Sequence, residues 1–156
     1  MINKFIYETK LGNILICDNG KAITELKFTK EKCIPKIMKE SALSQKAYNE
    51  ITEFFEGKRK AFDFPIEPSG TEFQKKVWNA LKEIPYGETR TYKDIAIAIG
   101  NEKAVRAVGG ANNKNPIHVV VPCHRVIGIK GDLVGYAVGI DIKKELLNLE
   151  REMKMK

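Results

Sequence analysis

Strand-like patterning is confined to the part of this chain before the stretch from Lys58 to Gly70, helical patterning dominates after it, and that division limits the folds open to it. Before it, residues 2–8, 12–17 and 22–28 read as short strands with turn signals at Gly12 and Asn19-Gly20, which predicts a small antiparallel meander. Ala47, Tyr48, Ile51, Phe54 and Phe55 then recur at helical spacing from a start near Ser41 or Ser44, with Gly57 as a stop. That helix is expected to lie on the meander. Lys58-Arg59-Lys60, Pro65, Pro68 and Gly70 mark a linker. Beyond it, Phe73, Val77, Ala80, Leu81 and Ile84 define one helical face ending at Pro85. A second helix is expected from Thr91 or Tyr92 to Ile99, stopped by Gly100, and a third from Glu102 to Asn112. The last runs from Asp141, as N-cap, to Glu152, with Ile142, Leu146 and Leu149 inward. The expected class is α+β in two domains. Residues 1–64 form a small N-terminal antiparallel sheet with a helix, and residues 65–156 form a mainly helical domain. The two short helices joined at Gly100-Asn101 have the dimensions of a helix-turn-helix, although an ordinary helical hairpin shares that pattern.

Chemistry concentrates in Pro122-Cys123-His124-Arg125-Val126, directly after the apolar run Val119-Val120-Val121, which is expected to be a buried strand. A cysteine near pH 7 is only a few per cent thiolate, so a ready nucleophile needs a neighbouring base, and His124 is the nearest. With two histidines and three cysteines in the chain, almost any thiol mechanism passes through this pentapeptide. The competing reading is a small core cysteine at a strand end.

Cys17, Cys33 and Cys123 are an odd set without close pairing, and no signal-peptide pattern stands at the N-terminus, so a reducing cytoplasm is expected. No apolar run approaches the length that spans a bilayer. The 27 Lys and Arg against 20 Asp and Glu give a net charge of +7, which suits a polyanion partner without demanding one. Location is more informative. Lys103, Arg106, Lys114, Arg125 and Lys130 stand against Glu102 alone between Asn101 and Gly131, a footprint suited to phosphates.

Read outward from Cys123, the chain shows Gly70-Thr71-Glu72-Phe73-Gln74, Val77-Trp78, Ile84-Pro85-Tyr86-Gly87-Glu88-Thr89, Tyr92, Ile95-Ala96, Arg106-Ala107-Val108-Gly109, Asn115-Pro116, Gly135-Tyr136 and Leu146-Leu147-Asn148-Leu149-Glu150. In that order and spacing, residues 68–152 closely resemble the O6-alkylguanine-DNA alkyltransferases, also called methylated-DNA-protein-cysteine methyltransferases, with a weaker likeness before them. Each fragment alone is weak. The ordered series is specific.

The resemblance implies that Cys123 takes the alkyl group from O6 of guanine in double-stranded DNA, and from O4-alkylthymine, and is consumed by doing so. His124 would accept the thiol proton through a bound water, Glu150 would orient the imidazole, and Asn115 would support the network. Tyr92 would hydrogen-bond ring N3 of the leaving guanine and deliver a proton. Tyr136 would wall the pocket, Ala137 would address O6, and the backbone at Cys123 and Val126 would read the base edge. Lys143 would lie near the pocket, and Arg125 would be among the DNA-binding cations. Arg106 would fill the gap left by a flipped nucleotide. Ala107 and Gly109 would let that helix approach the minor groove closely. The implied protein is a cytoplasmic monomer without cofactor or metal. Val138 stands where relatives differ in bulk, which suggests a narrower pocket.

Residue by residue, plainer readings stand beside these: a surface glutamate for Glu150, a turn residue for Asn115, a core aromatic for Tyr92, a solvated helix lysine for Lys143 and tight helix packing for Ala107 and Gly109. Two rival functions use the same residues. A thiol hydrolase would turn over and would not need Arg106, and a recogniser of damaged DNA would not need Cys123.

Overall fold

The structure, a computed structural model, describes residues 2–131 and 139–155. It divides into two compact units, Met1–Ser69 and Gly70–Lys156. The expectations for Tyr136, Ala137 and Val138 fall outside the described residues.

In the first unit β1 (Asn3–Thr9), β2 (Gly12–Asp18) and β3 (Ile23–Thr29) form an antiparallel meander in the order β1-β2-β3. Ile14 and Ile16 of β2 alternate inward, opposite Phe28 and Leu26 of β3, so a period-2 pattern gives one buried face. Helix α1 (Ala42–Phe55) covers it with Ala47, Ile51, Phe54 and Phe55. The Ser41 hydroxyl accepts from Ser44 N as N-cap and donates to the buried Asp18 carboxylate at 2.6 Å, which ties the start of the helix to the end of β2. The expected break after residue 64 falls later. Ile23 N donates to Pro65 O at 2.9 Å and Glu67 N to Ile23 O at 2.8 Å, so the linker adds a short parallel pairing to the first unit before leaving it.

In the second unit α2 (Glu72–Lys82) starts at a Thr71/Gln74 capping box and buries Val77, Trp78 and Leu81. Trp78 Nε1 donates to Ala111 O at 2.9 Å, which fixes α2 on α4 (Val105–Asn113). Helix α3 (Tyr92–Ala98) is capped by Thr91 and packs against α4. The two make a helix-turn-helix through Gly100 at φ 81°. Helix α4 begins at Val105 rather than Glu102, because Ala104 N closes a turn on Asn101 O first. Two-residue strands β4 (Arg90–Thr91) and β5 (Val126–Ile127) pair in parallel, and α5 (Ile140–Lys154) closes the described chain. Asp141 is not the N-cap. Gly139 holds that position at φ 117°, and Asp141 sits in the first turn, where its charge suits the helix dipole. The buried face of α5 is Lys143, Leu146, Leu147 and Glu150, with Ile142 and Leu149 only half-buried.

Candidate active site

The apolar run expected as a strand is a turn. Val119 adopts φ 70°, unusual for a β-branched residue, Val121 N bonds back to Ile117 O, and Val120 N to His118 O. Asn115 holds both ends of this turn: its Oδ1 accepts from Ile117 N at 3.0 Å and its Nδ2 donates to Val121 O at 2.8 Å. Burial of Val119 and Val121 is why the run is apolar; the backbone need not be extended for that. The turn delivers Pro122 and a 3-10 turn, Cys123–Arg125, on which three consecutive functional side chains are all buried. Cys123 is 2% exposed. Asn112 of α4 donates from Nδ2 toward Cys123 O at 3.4 Å.

The α5 helix brings Glu150 to this turn from 26 residues away in sequence. His124 Nε2 lies 2.5 Å from Glu150 Oε2, and both side chains are almost fully buried. Arg125 grips the same carboxylate with Nε to Oε1 at 2.8 Å and Nη2 to Oε2 at 3.0 Å. Gly87 N adds a fourth bond to Oε1 at 2.9 Å. Burial alone raises a carboxyl pKa, yet His124 and Arg125 together outweigh it and hold Glu150 at about 2. An ionised carboxylate only accepts, so Nε2 of His124 carries its proton and Nδ1 has the lone pair. Nδ1 is buried and has no protein hydrogen-bond partner among the described residues. Burial lowers the His124 pKa, the Glu150 bond and charge oppose this, and the Arg125 and Lys143 charges add to the fall. The imidazole is therefore a neutral base near pH 7.

Gly87 can donate to Glu150 because it takes φ 80°, and a Cβ there would stand 2.6 Å from Lys154 Cδ. The turn it ends also supplies Ile84 O, which accepts from Arg125 Nη1 at 2.8 Å, and the Tyr86 ring, 5.6 Å from the guanidinium.

Lys143 and Tyr92 complete the cluster. Lys143 is fully buried, its Nζ donates to Val126 O at 2.5 Å, and it lies 6.0 Å from the Tyr92 ring centre. The expectation of a solvated lysine is thus overturned. Burial lowers its pKa to about 8 against the pull of the nearby Cys123 sulfur. Tyr92, half-buried at the first position of α3, has its phenol pKa raised by burial and then by Cys123, so it keeps its proton as a donor.

Among the residues expected to meet DNA, Arg106 and Ala107 are exposed on α4 together with Val105 and Gly110. Gly109 turns toward Tyr92, where an added Cβ would lie 3.9 Å from Cδ1. Val126 is buried in β5. Arg125 is not a phosphate contact: it is 7% exposed and committed to Glu150 and Ile84. Asn112 and Gly87 were not singled out by sequence for this site, since their contacts join elements that nothing local connects. Among the described residues, no group of three His, Cys, Asp or Glu side chains converges to hold a metal ion.

Both halves of the chain match known families. Residues 2–68 match the ribonuclease-like domain of 6-O-methylguanine DNA methyltransferase, and residues 72–152 match its DNA binding domain. The methylated-DNA–protein-cysteine methyltransferase of Methanosarcina acetivorans is 50% identical over 149 residues, 93% of this chain and 96% of its own length. The constitutive enzyme of that name from Bacillus subtilis is 45% identical, with 92% of each chain covered. The crystal structure of Mycobacterium tuberculosis O6-methylguanine methyltransferase superposes with a TM-score of 0.89 at 38% identity, covering 98% of this chain and 94% of the other. The structure of Mycobacterium tuberculosis OGT in complex with DNA gives 0.87 at the same identity, covering 97% and 94%. Sharing both domains and close to half its residues with these relatives, the chain belongs to the methylated-DNA–protein-cysteine methyltransferase family.

Proposed function

We propose that this protein repairs double-stranded DNA by moving the alkyl group of O6-alkylguanine, or O4-alkylthymine, irreversibly onto Cys123. The observation that carries this is the buried sequence Cys123, His124, Glu150, in which an ionised carboxylate leaves the imidazole neutral and its Nδ1 unprotonated. The thiol proton passes to His124, through water in the reading taken from the family, and the sulfur attacks the alkyl carbon. A C–S bond forms as the C–O6 bond breaks, and the electron pair leaves with the guanine. Tyr92, held protonated by burial, donates to the ring nitrogen where that charge collects, so that over the whole reaction the thiol proton is replaced by alkyl and guanine gains a proton. The thioether has no leaving group that water could displace, so each molecule acts once.

A base inside the duplex cannot reach a buried thiol, so the nucleotide must leave the stack, at a few kcal/mol for unstacking. The exposed α4 face supports minor-groove entry: Ala107 and Gly110 keep it low, and Arg106 stands out from it to fill the vacated place. The protein is read as a cytoplasmic monomer.

Intact-protein mass after incubation with a duplex carrying one O6-methylguanine tests the reading, with undamaged duplex and Cys123→Ser as controls. One added methyl mapped to Cys123, in equal amount to the guanine restored and without turnover, is expected. Binding without any mass change would make the chain a recogniser, and repeated turnover would make it a hydrolase.

A further inference from the structure

Arg125 takes no part in the proton transfer from Cys123 to His124, yet each of its guanidinium nitrogens has a protein partner. A carboxylate offers about four lone-pair directions. Those of Glu150 receive His124 Nε2, Gly87 N and two nitrogens of Arg125, so the guanidinium supplies half of the donors and the compensating charge. Nη1 on Ile84 O anchors the fork to the chain leaving α2, which leaves the carboxylate one orientation.

We propose that Arg125 is a positioning residue of the transfer reaction: its two-pronged grip on Glu150 fixes the orientation of the carboxylate and offsets its charge, which keeps His124 a neutral base protonated on Nε2 alone. This rests on the reading of Cys123 as the alkyl acceptor. Among the described residues, the charged and titratable groups around His124 are Glu150 and Lys143 from α5, Cys123 and Arg125 from the 3-10 turn, and Tyr86 from the turn before β4. Helix α2, packed on the 3-10 turn, brings only the apolar Val77, Trp78 and Leu81 to the interior. Glu150 is the one carboxylate in that set. Without the guanidinium its charge would act on the imidazole alone and favour the imidazolium, which cannot take the thiol proton. Lysine would restore the charge but not the fork, because an ammonium is a point donor.

Single-turnover methyl transfer from an O6-methylguanine duplex, followed from pH 5 to 9, compares the wild type with Arg125→Met and Arg125→Lys. Nitrogen NMR of the His124 ring is followed over the same range in the protein without DNA. In Arg125→Met the acid limb and the His124 titration should both move to higher pH, with about a tenfold loss of rate at the pH where the wild type is half-maximal. Arg125→Lys should bring the limb back while the plateau rate stays low and the ring shows mixed tautomers. If both titrations stay in place while only the melting temperature falls, Arg125 is merely structural and the proposal is overturned. Should Arg125→Met fail to fold, Arg125→Lys decides: a wild-type plateau with an Nε2-protonated ring would refute the grip, and a lowered plateau with mixed tautomers would support it. A wild type that transfers no methyl would refute the alkyl-acceptor reading instead, and the NMR titration would still test the grip.

Discussion

Glu150 is the residue on which the site's electrostatics turn. Its four hydrogen bonds all come from donors, two of them on a buried cation. Glu150→Gln keeps the shape but presents an amide to those donors and leaves Arg125 buried without its counter-charge, so a loss of about 3–5 kcal/mol is expected in urea denaturation. Methyl transfer should fall with it, since the carboxylate no longer selects the imidazole tautomer. Arg106→Ala belongs to the opposite environment. Exposed on α4, it should weaken duplex binding similarly for any sequence and lower the slope of log affinity against log salt by about one, measured by fluorescence anisotropy. What was legible at this scale follows from adjacency. The Cys123-His124 pair is visible in the chain because its members are neighbours, whereas Glu150 is one glutamate among many until a family resemblance points to it. Sequence assigns Arg125 to DNA because a cation beside a nucleophile looks the same whether it faces phosphate or a buried carboxylate 25 residues on. Lys143 misled for a related reason, since only the packing of α5 decides that a helix lysine lies inside.

Elements were readable where local chemistry alone forms them. The meander follows from period 2 with turn residues, and α1, α2 and α3 start at Ser41, Thr71 and Thr91, each with a side chain that caps its first turn. Val119-Val120-Val121 was not, because an apolar run records burial, and Asn115 bends a buried segment as readily as a sheet extends one. The capping box of α3 gives a prediction at this scale. Thr91 Oγ1 accepts from Asp94 N at 3.0 Å and Asp94 Oδ2 from Thr91 N at 2.9 Å, directly before Tyr92. Thr91→Ala should cost about 1 kcal/mol by thermal denaturation and also slow transfer, as the first turn that aims Tyr92 frays. Thr71→Ala removes an equivalent cap from α2 and should cost a similar amount with little effect on the rate. A rate effect that did not differ between the two would separate Tyr92 from the chemistry.

Over the whole molecule, a surplus of 27 basic over 20 acidic residues draws the chain to a polyanion, while two buried charges set how its second unit responds to pH. Glu150 is held at about 2 against an ordinary 4.5. Its contribution, about 3 kcal/mol for a shift of that size, is fully present above the ordinary carboxylate range and is lost as pH falls from about 4.5 toward 2. Lys143 acts with the other sign. Its pKa is lowered from 10.5 to about 8, so at neutral pH the folded state holds a proton it binds weakly, and folding carries a cost of similar size. That cost is relieved as pH rises from about 8 to 10.5, where the unfolded chain keeps the proton and the folded chain releases it. Stability of this unit should therefore climb in a range where most proteins lose it. Trp78, the one tryptophan, is buried against Ala111 and reports on this unit alone, so urea midpoints followed by its fluorescence read the effect directly. Lys143→Met should flatten the alkaline climb and leave the acid loss in place. The same substitution should slow methyl transfer, because the ammonium that costs stability also stands beside the Cys123 sulfur and favours its thiolate. A variant that kept both the alkaline climb and the wild-type rate would mean that Lys143 is not the group responsible for either.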